Sequence, residues 1–214
     1  MKSNLIAKLV LASSLAVSLA CSEGLFVGAQ GDYNFKSTEF DVQIATSGAT
    51  SETDSDTAFG LKVGYDFDLW RLYGSYIFGS GGSFSHASGA EVLSVDSDTS
   101  DLLIGASWTP RINDKLKAIA GVYAGYSYFD IDVYYAGPGI VLSQNTKLNG
   151  LIYGARVGGI YEFNNKHEIE FGLKYGQVKY SDKETINLSP AISVDMKNVK
   201  RSDGGIFIGY NYKF

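Results

Sequence analysis

The feature that most restricts the fold is an apolar alternation of period two, repeated in stretches of about ten residues, the length a tilted strand needs to cross a bilayer. In the stretch that ends the sequence, Ile206, Ile208, Tyr210, Tyr212 and Phe214 fall on one face. Gly205, Phe207, Gly209, Asn211 and Lys213 fall on the other. Successive side chains of a β-strand point to opposite sides. One face is therefore apolar and aromatic, and the other mostly small or polar. Seven further stretches repeat the pattern, within 25–35, 59–67, 70–78, 102–108, 116–128, 151–163 and 169–175.

The connections alternate in length. Tight turns are expected at 66–69, 110–115 and 164–167, after the second, fourth and sixth stretches. Long polar connections follow the first, third, fifth and seventh. Short turns on one rim and long loops on the other are the layout of a barrel that crosses an outer membrane. The reading is all-β: an eight-stranded antiparallel up-and-down transmembrane β-barrel with long extracellular hairpin loops. An even strand count puts both chain ends on the short-turn, periplasmic side. Phe40, Val42 and Ile44, and Ile131 and Val133, still alternate, so the strands are expected to continue outward as hairpins. Asp54-Ser55-Asp56-Thr57 and Asp96-Ser97-Asp98-Thr99 echo one another ahead of the second and fourth stretches, as markers of loops returning to the membrane.

A soluble barrel also alternates, but its apolar face lines the interior. Here the opposing face is rich in glycine, which suits a cramped lumen. It also carries Asp32, Lys62, Asp66, Arg71, Lys117, Arg156, Glu162, Glu170 and Lys174. A Lys or Arg facing lipid at mid-membrane costs about 2–4 kcal/mol. Several would exceed a whole domain's stability of about 5–15 kcal/mol. The charges must face inward and pair. The expected lumen cluster is Lys62, Arg71, Arg156, Glu162, Glu170 and Lys174, with water between Arg156, Lys174, Lys62 and Glu170. Aromatic residues fall at stretch ends. Trp70, Trp108, Tyr161 and Phe163, with Phe67, Tyr210, Tyr212 and Phe214, share one rim. Phe35, Phe59, Phe78, Tyr126 and Tyr128 share the other. Rings with a polar edge favour the headgroup level, so two aromatic girdles are expected.

Composition agrees. Of 214 residues, 25 are Gly and 15 Tyr but only 3 Pro, which suits many twisted strands. The formal charge of -5 supplies no basic stripe for nucleic acid. Residues 1–20 read as a cleaved secretory signal: Lys2 and Lys8 precede the apolar run 9–19, and Ser18 and Ala20 are small at −3 and −1. The barrel domain is then 21–214. Cys21 would be the lipid-bearing residue of a lipoprotein, but Ser18-Leu19 reverse the usual order of Leu then small, so ordinary cleavage is expected.

The signal, the eight alternating stretches and the ending Gly205-Ile206-Phe207-Ile208-Gly209-Tyr210-Asn211-Tyr212-Lys213-Phe214 resemble the outer-membrane β-barrel family of the OmpA/OmpX type. The resemblance covers essentially all of 21–214. It implies that Tyr210, Tyr212 and Phe214 form the signal read by the barrel assembly machinery. It implies outer-membrane lipid as the surroundings and leaves a surface ligand on the loops open. It extends to the barrel, so peptidoglycan anchoring is not implied.

Catalytic motifs are sparse, and neither an enzyme nor a cofactor is expected. His86 stands among Ser83, Ser85 and Ser88 in what reads as a flexible Gly/Ser-rich loop, and His167 falls in a tight turn. Small barrels that modify lipid A combine His, Ser and an acid, but no stretch end here fixes a base beside a nucleophile. Gly79-Ser80-Gly81-Gly82 lacks the Lys and helix of a phosphate loop. Glu52, Asp54, Asp56, Asp96, Asp98 and Asp101 offer oxygen ligands without EF-hand spacing and read as solvated loops. Asn187-Leu188-Ser189 matches a glycosylation acceptor, uninformative in a bacterial setting. The functional expectation is a structural or surface-interaction barrel with a largely plugged lumen. The alternatives are a small pore and, more distantly, a lipid A-modifying enzyme.

Overall fold

The computed structural model describes residues 24–43, 50–88, 91–137, 140–180, 184–189 and 192–214. The expected leader, Cys21 and Ile44 lie outside them. Among the described residues nine strands follow in chain order: β1 (Leu25–Gln43), β2 (Thr50–Asp66), β3 (Trp70–Ser88), β4 (Glu91–Trp108), β5 (Leu116–Gly137), β6 (Ile140–Glu162), β7 (His167–Tyr180), β8 (Glu184–Ser189) and β9 (Ile192–Lys213). Each of β1 to β7 pairs antiparallel with the next, β7 pairs with β9, and β9 pairs with β1. The sheet is thus closed, an eight-stranded antiparallel barrel. The short β8 adds to the start of β9 as a branch, which the expected eight stretches did not include. The closing seam runs from Phe26↔Lys213 to Glu39↔Lys200, shifts register, and resumes to Gln43↔Asp195. At its base the Phe214 N–H donates to the Leu25 carbonyl over 2.9 Å.

Three tight turns close one rim, and side chains cap them. The Asn113 carboxamide oxygen accepts the N–H groups of Lys115 and Leu116, each at 2.9 Å. Asn164 does the same for Lys166 and His167. Asp66 accepts the N–H of Asp68, whose φ of 69° is a left-handed conformation that Asp tolerates in a turn. Asn113→Ala removes two such acceptances and is expected to cost about 1 kcal/mol. A urea titration of the folded form in micelles, followed by gel mobility, measures it. An unchanged midpoint would mean that the backbone alone holds this turn.

The outer wall is apolar. Ile104 is 71% exposed, and Leu61, Val122, Leu173 and Ile208 are exposed on other strands around the barrel. Water would not tolerate such a continuous apolar band, and lipid would. Trp70 and Trp108 are direct cross-strand partners at the short-turn rim, and Tyr161 and Phe163 stand exposed on the same rim. Phe59 and Phe78 are partners at the other end of the wall. Rings two apart stack edge-to-face: Tyr76 on Phe78, Tyr161 on Phe163 and Tyr212 on Phe214.

Beyond the aromatic belt the strands run on, and several segments read as loops are strand. Gly79-Ser80-Gly81-Gly82 and His86 lie on β3. The register with β4 shifts between Ser80 and Ser83, so the Gly pair is absorbed as an irregularity rather than ending the strand. Both Asp-Ser-Asp-Thr echoes lie inside β2 and β4, and Asn187 lies on β8. Composition typical of turns does not break a strand whose backbone is paired to a neighbour.

The wall also divides here. The β2–β3 ladder ends at Ala58↔Gly79, although β2 continues along β1 to Thr50 and β3 along β4 to Ser88. The β6–β7 ladder ends at Gly150↔Tyr180, although β6 continues along β5 to Ile140. Two flanges therefore rise from the hairpin rim: β3-β4-β5-β6 and β8-β9-β1-β2.

Candidate functional site in the lumen

The residues between the lipid-facing ones point inward, and they fill the barrel in layers. Nearest the short turns lies an ionic layer. Arg71 is fully buried and grips Glu168, fully buried opposite it, with both guanidinium ends. The second end also reaches Asp66 at 2.7 Å. Lys117 lies 3.5 Å from both Asp66 and Glu162. Lys213 reaches Glu162 at 3.1 Å and Asp66 at 3.6 Å. Arg111, half exposed, adds contacts to Glu162 and Asp68. The acids Asp66, Asp68, Glu162 and Glu168 thus balance the bases Arg71, Arg111, Lys117 and Lys213. The charge is internally compensated, which is the condition for burying it.

The next layer mixes ions with rings. Glu170 takes Lys62 as a direct ion-pair partner and Arg156 at 3.4 Å. Arg156 also donates to the Ser107 hydroxyl at 3.2 Å. Its guanidinium carbon stands 4.3 Å from the Tyr73 ring centre and 5.4 Å from that of Phe207. The Asn211 carboxamide donates to Glu168 and Glu170, tying the two layers together. Lys174 does not join Arg156, Lys62 and Glu170 as expected. It pairs with Asp32 at 2.6 Å, and Gln30 donates to the same carboxylate. The reason is register. Lys174 is the direct cross-strand partner of Arg156, and like charges opposite one another are unfavourable. Its other neighbour is Gly205, which puts no side chain between β7 and β1.

A third cluster lies toward the hairpins. Arg201 binds Asp203 at 2.7 Å and Asp101 at 3.2 Å, and donates to the Tyr180 hydroxyl at 2.9 Å. Beside it Ile77, Leu103, Tyr123, Ile152 and Val178 form an apolar cluster inside the barrel. The glycine face is what admits these rings. A Cβ at Gly105 would clash with the Tyr73 ring, and one at Gly154 with the Tyr123 ring and the Tyr175 carbonyl. Between the second and third layers remains a cavity of about 30 Å³. That volume holds about one or two water molecules. Buried oxygens of Asn34, Asp101 and Asp203, which no protein group bonds among the described residues, line it.

Sequence reasoning named Lys62, Arg71, Arg156, Glu162, Glu170 and Lys174 as the lumen cluster; the structure buries the first five, divided between two layers, and sets the partly buried Lys174 on Asp32. It missed Glu168, Arg201 and Asp203. It also missed the part played by Tyr73 and Phe207, apolar residues on the face read as small and charged. The parity of Glu168 with Glu170 was available as a signal. Of the histidines, His86 lies on β3, while the His167 ring contacts the Tyr210 hydroxyl and the Tyr212 ring. Tyr210, Tyr212 and Phe214 point outward beside the seam, on the short-turn rim.

No protein-family model and no curated protein matches the chain. Solved structures do. Ail, the attachment invasion locus protein of Yersinia pestis, in its structure with the heparin analogue sucrose octasulfate, is 17% identical with a TM-score of 0.53. The match covers 89% of this chain and 99% of Ail. OprG, an outer membrane protein of Pseudomonas aeruginosa, is 19% identical with a TM-score of 0.53, over 90% of this chain and 96% of OprG. This chain has the fold of the outer-membrane β-barrels. Within that fold the outer membrane protease OmpT of Escherichia coli also matches, at 8% identity and a TM-score of 0.54, over 89% of this chain and 97% of OmpT. An outer-membrane barrel fold is thus compatible with an attachment protein and with a protease, and the choice must rest on this chain's own residues.

Proposed function

We propose that the chain is an integral outer-membrane protein whose barrel is a plugged anchor and whose hairpin flanges serve surface interaction. The filled lumen carries this reading. From Arg71 and Glu168 through Arg156, Tyr73 and Phe207 to Arg201, side chains reach into the interior layer after layer, and the cavity of about 30 Å³ among them has room for about one or two waters, which supports a plug over an aqueous path. In this reading the short-turn rim and both chain ends face the periplasm, and the flanges face outward. Outer-membrane lipid surrounds the wall. Tyr210, Tyr212 and Phe214 act as the signal for the barrel assembly machinery, a role their place beside the closing seam supports. The lumen bases and acids serve each other rather than a substrate, so the barrel is read as non-enzymatic.

Planar-bilayer recording of the refolded protein tests the plug. The expected trace shows no steady open level. A stable, salt-dependent open level in most insertions would replace the anchor with a small pore.

A further inference from the structure

The cavity between the second and third layers is lined by acceptors left without donors. The carboxamide oxygen of Asn34 and one carboxylate oxygen each of Asp101 and Asp203 are buried with no hydrogen-bond partner among the described residues. Asn34 is only 4% exposed and Asp203 6%. The oxygens come from opposite sides of the ring. Asn34 on β1 lies across the closing seam from Gly205, two residues along β9 from Asp203, whereas Asp101 stands on β4 across the barrel.

The charges of the third layer do not balance among the described side chains. Asp101 and Asp203 share one base: the same guanidinium nitrogen of Arg201 lies 3.2 Å from the first and 2.7 Å from the second. The other bases that line the cavity are engaged elsewhere. Lys174 is held by Asp32 and Arg156 by Glu170. Asp56, also in the lining, has an interaction of its own. Two carboxylates thus face one guanidinium. Away from bulk water such an imbalance is costly, and so is a carboxylate oxygen without a donor. A water molecule would donate to these oxygens but leave the excess charge. A small cation answers both.

We propose that the cavity is a binding site for one small monovalent cation of the sodium class, held between Asn34, Asp101 and Asp203. The donor set is oxygen alone, which suits a hard ion. One positive charge balances the layer, and two would overshoot it. Among the described residues no three Asp, Glu, His or Cys side chains converge closely enough to hold a metal ion together. A calcium ion, which takes about 6–8 oxygen ligands, is therefore poorly served. The volume of about 30 Å³ accepts an ion with about one water to fill out its shell. Asp101 and Lys174 line the cavity and are both slightly exposed, so it is reachable from solvent. Once bound, the ion ties β1 and β9, the two strands of the seam, to β4 on the other side of the ring. The site goes beyond the plugged-anchor reading and does not require it.

The test uses the whole protein refolded in vesicles of zwitterionic lipid, with sodium chloride exchanged for N-methylglucamine chloride at fixed ionic strength. Urea titration followed by gel mobility should show a stability that rises with Na⁺ and saturates. The folded-to-unfolded ratio is expected to gain about tenfold when Na⁺ stands at about ten times its dissociation constant. Asp203→Asn keeps the shape and removes the excess charge, so the dependence should vanish. Asp96→Asn with Asp98→Asn, exposed acids elsewhere on β4, should retain it. Sodium-23 NMR relaxation of the folded wild type is a second readout and decides the matter if a variant fails to refold; a saturable enhancement is expected. The proposal is overturned if the wild type is equally stable in both salts, if no saturable sodium relaxation is seen, or if Asp203→Asn keeps the full dependence. Ca²⁺ acting at far lower concentration than Na⁺ overturns it in favour of a divalent site. Lys36, the cross-strand partner of Asp203 on β1, is the rival source of the missing charge. A Na⁺ dependence that is absent from the wild type and created by Lys36→Met would show that the lysine, not an ion, balances the layer. The bilayer recording reads none of these quantities, so a silent barrel indifferent to Na⁺ removes the ion and leaves the anchor.

Discussion

Replacing Arg71 by Met is expected to destabilise the barrel by about 3–5 kcal/mol, the cost of leaving a buried charge without its partner. Arg71 and Glu168 are both fully buried, and the contact uses both ends of the guanidinium. Removing Arg71 strands Glu168, left among the described residues with the Asn211 carboxamide donating at 2.9 Å and the Lys213 ammonium 3.8 Å away. Arg71→Met combined with Glu168→Leu should recover most of the loss, because the cost lies in the unpaired charge rather than in the missing pair. Arg111→Met is the control. Its pairs are half exposed, and a surface pair contributes about 0–1 kcal/mol. Urea titration in lipid vesicles, read by tryptophan emission from Trp70 and Trp108, ranks the variants. Equal losses for Arg71→Met and Arg111→Met would mean that the ionic layer is open to water.

The second large effect lies on the wall. Ile104→Arg should cost about 2–4 kcal/mol, the penalty for an arginine facing lipid at the midplane. Ile104 lies midway between Trp108, opposite Trp70 on one girdle, and Ser100, opposite Phe78 and Tyr128 on the other. Arg at Phe163, at the short-turn rim, should cost no more than about 1 kcal/mol, since the penalty fades toward the interface. The same titration distinguishes them. A flat response with depth would contradict a wall immersed in lipid. The contrast with Arg156 is instructive. The same side chain is tolerated on β6 because it points inward, onto Tyr73, Ser107 and Glu170.

These two effects mark what was legible in the sequence. Period two divides Ile104 from Leu103 and Arg156 from Val157 without any structure, because the pleat assigns alternate residues to opposite faces. The charges on the Gly-rich face then had to be internal, since lipid would have made them too costly. Their partners were not legible. Which residue meets which across a lumen depends on the stagger of the whole ring, and no local pattern reports that Lys174 passes Gly205 to find Asp32. Phe207 looked like a lapse in the alternation of the last stretch. It is instead filler above Gly172, where an added Cβ would stand 2.9 Å from its ring. The upper strands were misread for a different reason. Ser, Gly and Asp signal turns when the backbone must satisfy itself, whereas on β3 and β4 a neighbouring strand satisfies it.

The seam between β1 and β9 carries a consequence for how the barrel comes to exist. Every other barrel ladder joins neighbours in the chain and can form as a hairpin or a short crossover. The seam joins Phe26 to Lys213, almost the greatest loop the described chain can close. Contacts between distant residues form slowly, because the entropy of closure is lost before any pairing is gained. Until that step both β1 and β9 are raw edges in an open, curling sheet, able to pair with any strand they meet. Productive assembly is therefore a race between closure and capture. The outward aromatic ladder of Tyr210, Tyr212 and Phe214 lies at the end of one of the two strands that must wait for closure.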